Sequence, residues 1–138
     1  MKPIDNIIPN ILLQLLKLAL DTHSEQHSIT LPSSIAWEEV YRLSAAQGMM
    51  AIVWEAVERL IAEGVLTEER GNMPHKSLRL QWAYSVETLK KRYRKQRDVI
   101  VKLADIYRSN QIEIMILKGY GLSLCYPTPE ARACSDID

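Results

Sequence analysis

Long apolar runs, cysteine, proline and glycine are all scarce in this sequence. No apolar stretch reaches roughly 18 residues, so no segment reads as a membrane-spanning helix. Met1-Lys2-Pro3-Ile4-Asp5 places an acid and a proline where a secretory signal needs an unbroken apolar stretch. Two cysteines, Cys125 and Cys134, are too few for a disulfide scaffold or a cysteine-rich zinc site. A reducing, cytoplasmic location is the expectation that follows. Five glycines and six prolines in 138 residues leave room for long regular elements. Internal repeats and low-complexity segments are absent as well. What is there is ordinary: 47% hydrophobic and 25% charged residues, a balance that excludes wholesale disorder. A chain of this length can bury a core without disulfides, and one domain is the default.

The net charge is zero but unevenly spread. Residues 1–69 carry 4 Lys+Arg and 10 Asp+Glu, a balance of −6. Residues 70–138 carry 13 Lys+Arg and 7 Asp+Glu, a balance of +6. Either the second half meets an anionic partner, or the two halves pack against each other.

Apolar spacing predicts a mainly α chain. A first helix spans 9–22, with Pro9 in its first turn and Ile11, Leu12, Leu15, Leu16, Leu18 and Ala19 on its apolar face. A polar loop covers 23–34. Ser33 or Ser34 is the candidate cap of a second helix that carries Ile35, Val40, Leu43 and Ala46, with Glu38 and Glu39 in its first turn. That helix stops near Gly48. Met49 to Glu63 forms a third, apolar at Ile52, Val53, Ala56, Val57, Leu60 and Ile61, and Gly64 ends it. After a loop over 64–74, no proline or glycine interrupts His75 to Asn110. Leu78, Trp82, Val86, Leu89, Tyr93, Ile100, Leu103 and Tyr107 keep helical spacing there. One helix of this length spans roughly 50 Å. A break would fall near 94–98, where the apolar face thins. Trp37, Trp54 and Trp82 all sit on apolar faces and are expected in the core.

Beyond residue 110 the pattern changes. Ile112-Glu113-Ile114-Met115-Ile116-Leu117 is compact and β-branched, the mark of a buried strand. Lys118-Gly119 ends it, a short helix fits Tyr120 to Tyr126, and Pro127 and Pro129 stop that helix. Ser135-Asp136-Ile137-Asp138 alternates like the start of a second strand. One strand and part of another do not make a stable sheet alone. The expectation is therefore the opening of a longer protein, with apolar surface at Ile114, Ile116 and Ile137 inviting self-association through the exposed C-terminal strand.

Two small motifs could carry chemistry. On a strand, Asp136 and Asp138 face one side and together suit an oxygen-loving divalent cation such as Mg²⁺; alone, the pair also fits a solvated chain end. Lys118-Gly119 offers a point charge and a side-chain-free backbone to a phosphate, or is simply a turn with a solvated lysine.

Taken in order, Ile116-Leu117-Lys118-Gly119, Tyr126-Pro127-x-Pro129 and Arg132-x-x-Ser135-Asp136-Ile137-Asp138 resemble the uncharacterised bacterial nucleotidyltransferase-like family. That family lies within the DNA polymerase beta-type superfamily, and the motifs cover 112–138. The resemblance implies a helical region over 1–110 followed by a truncated α/β nucleotidyltransferase core, strand-helix-strand, over 111–138. It implies Mg²⁺ on Asp136 and Asp138 as catalytic ligands, with Lys118, Gly119 and Arg132 beside the nucleotide. It implies an NTP donor and an unknown acceptor, whether small molecule, protein or RNA. Gly119-Tyr120 departs from the superfamily's Gly-Ser or Gly-Gly turn. The superfamily's third carboxylate has no counterpart up to Asp138, so the chain by itself is expected to be inactive.

The alternative is a non-catalytic helical interaction module. Its best feature is Lys90-Lys91-Arg92-x-Arg94-Lys95-x-Arg97, six cations in eight positions that could follow a nucleic-acid backbone or simply be solvated. His23 and His27 read as loop residues rather than a metal pair, and His75 stands alone. Cys125 reads as a buried small residue.

Overall fold

The computed structural model describes residues 6–21 and 28–134. It has five α-helices: α1 (Ile7–Leu20), α2 (Trp37–Ala46), α3 (Met50–Ala62), α4 (Lys76–Ser109) and α5 (Lys118–Ser123), followed by a 3₁₀ turn at Pro129–Ala131.

α3 is the centre. It contacts α1, α2, α4 and the 3₁₀ turn. Its sequence explains this: Ala51, Ile52, Val53, Trp54, Ala56, Val57 and Leu60 leave little of its circumference polar, and all seven are buried. A helix apolar on most sides must be surrounded. α1 adds Ile11, Leu12, Leu15 and Leu18 from one side. α4 lays Leu78, Trp82 and Val86 along another. Trp82 is fully buried between Tyr41 and Trp54, with ring centroids 5.2 Å and 5.3 Å away. Its indole N–H donates to the Met50 carbonyl at 3.0 Å, so the polar edge of the ring is satisfied inside the core.

The helix stops follow the glycines. Gly48 and Gly64 adopt φ +69° and +71°, the left-handed geometry that lets a chain leave a helix. The starts are less regular. α2 begins at Trp37, with Ala36 at its cap position and no side-chain cap, so neither Ser33 nor Ser34 serves. The Trp37 indole instead fixes the entry by donating to the Asn72 carbonyl at 2.8 Å. At α4 the cap is His75, whose ring nitrogen accepts from the Leu78 N–H while its other nitrogen meets Glu38. α4 runs unbroken through 94–98, because Tyr93 and Ile100 are buried on either side of the thin stretch.

The expected strand-helix-strand core is corrected by this structure. No strand occurs among the described residues, and the chain is mainly α. Residues 112–117 carry no regular structure. Met115 is 79% exposed and Ile112 and Leu117 are about half exposed, so this is no buried strand either. A strand exists only through its ladder of hydrogen bonds to a neighbour. The expected neighbour, 135–138, lies outside the described residues. Ile114 and Ile116 are half-buried, so the exposed apolar residues here are not the ones expected. Cys125 is exposed, against the expectation of burial. His23, His27, Ile137, Asp136 and Asp138 lie outside the described residues. No helix among the described residues is long and apolar enough to cross a membrane.

Candidate functional site

The turn at Lys118 is held in an unusual shape. Lys118 has φ +46°, a left-handed conformation that costs a non-glycine residue free energy. Gly121, one turn on, has no room for a side chain: a Cβ there would collide with the Ile116 carbonyl oxygen. The start of α5 therefore folds back tightly on the segment before it.

Arg132 closes the site from the other side. Its Nη1 donates to the Gly119 carbonyl at 3.0 Å and lies 3.4 Å from the Cys134 sulfur. Thirteen residues apart in sequence, Gly119 and Arg132 are thus in direct contact. Nε and Nη2 of Arg132 have no partner among the described residues. Lys118, the residue before Gly119, is exposed. Three of the five expected site residues come together in this way. The other two, Asp136 and Asp138, lie outside the described residues, and no group of three metal-binding side chains occurs among those described.

Two neighbouring residues of α4 anchor this assembly. Tyr93 is 4% exposed and its ring stacks on Tyr120, with centroids 5.4 Å apart. The Tyr93 hydroxyl is 2.8 Å from the buried Ser123 Oγ. Ser123 donates its own proton to the Tyr120 carbonyl, so Tyr93 is the donor of the pair. Burial pushes the Tyr93 hydroxyl above the ordinary tyrosine range, which keeps it a donor. Arg94 grips Glu130 through two bonds, Nε to Oε1 at 3.2 Å and Nη2 to Oε2 at 3.0 Å, and reaches Glu87 at 3.1 Å. Next to Glu130, Ala131 is buried in the main core.

The Arg94 pair holds the Glu130 carboxyl below the usual glutamate range. The sign follows: a depressed folded-state pKa stabilises above the ordinary value and is lost as pH falls through the lowered one. On acidification below about pH 4.3, protection at Ala131 and Arg132 is expected to fade as Glu130 takes up its proton. Replacing Arg94 with Gln is expected to bring the Glu130 titration back to the ordinary range, measured by carboxyl-carbon NMR. An unchanged midpoint would show that the pair does not form in solution.

Sequence reasoning missed this anchoring. Tyr93 counted only as an apolar position and Arg94 only as one of six cations. A tyrosine on a buried face carries a hydroxyl that needs a partner, and that was the available signal. The basic run itself divides. Lys90 pairs with Glu55, Arg94 with Glu87 and Glu130, and Arg97 with Asp98. Lys91, Arg92 and Lys95 are exposed without an ion pair among the described residues. The run is therefore not one free cationic face, and Lys90 and Arg79 tie the basic half to acids of the first half at Glu55 and Glu68.

A family model described as an uncharacterised nucleotidyltransferase matches residues 33–138, and the chain belongs to that family. The match extends over α2, α3 and α4 as well as the segment that carries Lys118, Gly119 and Arg132. No curated protein and no solved structure matches the chain.

Proposed function

We propose that the chain supplies the nucleotide-binding face of a Mg²⁺-dependent transferase that moves NMP from an NTP to an acceptor hydroxyl. The observation that carries this is the contact of Arg132 with the Gly119 carbonyl beside Lys118. Residues far apart in sequence thereby assemble two cations around a glycine turn. The ammonium of Lys118 serves as a point charge toward the phosphates. Arg132 spends Nη1 on the turn and keeps Nε and Nη2 for phosphate oxygens, a fork well matched to that geometry. Gly119 leaves the approach open, since it has no side chain. Asp136 and Asp138 are an all-oxygen donor set, which fits a hard cation. When bound, Mg²⁺ would neutralise phosphate charge and lower the pKa of an attacking hydroxyl.

The test is a titration with Mg²⁺ and a nonhydrolysable ATP analogue, followed by amide NMR. Shifts are expected at Lys118, Gly119, Arg132, Asp136 and Asp138, and they should vanish in Asp136→Asn. Silence at these residues in the unaltered chain would reject the reading.

A further inference from the structure

We propose that Tyr93 and Arg94 are positioning residues for nucleotide binding, acting through the two halves of the site rather than on the ligand. This deepens the reading above and rests on it. The geometry is specific. Consecutive residues on one helix point their side chains to different places. Tyr93 reaches Ser123 and Tyr120 and so fixes α5, which begins with Lys118 and Gly119. Arg94 reaches Glu130 with two bonds and so fixes the turn that leads into Arg132. The link between the halves, Arg132 to the Gly119 carbonyl, spans what these two residues hold apart or together.

The physical need is clear from Lys118. Its left-handed backbone is a conformation that a free chain rarely visits. It persists only where the surroundings over-determine it. The close approach of Gly121 to Ile116 supplies one constraint, and the Tyr93–Ser123 bond with the Tyr93–Tyr120 stack supplies the next. The rigid helix α4 is the common reference. A cation held in place before the ligand arrives loses less freedom on binding, which is the general source of affinity by preorganisation.

The test compares the unaltered chain with Tyr93→Phe, Ser123→Ala, the double variant, and Arg94→Gln. Three readouts are taken: melting temperature, amide exchange over 118–123 and 131–134, and affinity for the ATP analogue with Mg²⁺. Tyr93→Phe keeps the ring stack and removes one hydrogen bond. It is expected to speed exchange at 118–123 and to weaken nucleotide binding about tenfold, the size of one such bond. Exchange within α3 should not change. Ser123→Ala should weaken binding at least as much, since it also removes the bond to the Tyr120 carbonyl, and adding Tyr93→Phe to it should change little more, because their shared bond is already gone. Arg94→Gln should loosen 131–134 instead and weaken binding through Arg132. Unchanged exchange at 118–123 in Tyr93→Phe would overturn the brace itself. Faster exchange with unchanged affinity would overturn its role in binding while leaving the nucleotide reading intact. Absence of binding in the unaltered chain would remove that reading, and the positioning role with it.

Discussion

Trp82→Ala should strip the helical part of a large share of its folding stability. Trp82 is fully buried where α2, α3 and α4 meet. Its removal takes away contacts with Tyr41 and Trp54 at once and leaves the Met50 carbonyl without its indole donor. Truncating a buried aromatic to alanine costs about 3–5 kcal/mol. A domain of this kind has roughly 5–15 kcal/mol in total, so one change consumes a large share. Melting temperature should fall by about 10–20 °C in a circular-dichroism scan. Leu80→Ala, on the same helix but 63% exposed, is the control and should move little. Trp82→Phe should fall between, because it keeps one aromatic ring but loses the indole donor and the volume of the second ring. A drop of less than about 5 °C for Trp82→Ala would mean that the three helices do not pack around this side chain.

How far the sequence led depends on whether the cause is local. Glycine stops at Gly48 and Gly64, the apolar sides of α1, α3 and α4, and three core tryptophans all rest on neighbours within a few residues or on burial of large apolar rings. Those features were readable, and α1, α3 and α4 lie within about two residues of expectation. The start of α2 was not, because Trp37 is anchored by Asn72, thirty-five positions on. A serine near the right place is a weaker signal than an indole that finds a carbonyl. The uninterrupted α4 depends on Tyr93 and Ile100 staying buried, and nothing within 94–98 announces that.

The β-branched run at 112–117 shows the same limit from the other side. Its composition suits a strand, but pairing is non-local and propensity cannot supply a partner. The site divides along the same line. Lys118, Gly119 and Arg132 were legible as residue types in an order. Their contact and the conformation of Lys118 were not. Tyr93 and Glu130 were invisible as site elements, since their roles come from residues 30 and 36 positions away.

Lys118→Gly separates what this residue does for the backbone from what it does for the ligand. A non-glycine residue pays about 1–2 kcal/mol for the left-handed conformation. Glycine adopts φ +46° freely but loses about 0.5–1 kcal/mol through the greater freedom of its unfolded chain. The two effects nearly offset, so stability should stay level or rise slightly. Lys118→Ala keeps the conformational cost and should be no more stable than the unaltered chain. Binding of the ATP analogue should behave differently. Both variants lose the ammonium, and a charged contact to phosphate contributes about 1.5–3 kcal/mol. Affinity should drop by roughly ten- to a hundredfold in both. The contrast lies in Lys118→Gly alone: equal or better stability together with poor binding. Sequence economy would favour glycine or asparagine at such a φ if the backbone were all that mattered. Calorimetric titration beside a melting curve reads both quantities on the same sample. If Lys118→Gly bound the analogue as well as the unaltered chain, the side chain would have no part in nucleotide recognition. The left-handed lysine would then be a cost without a ligand to explain it.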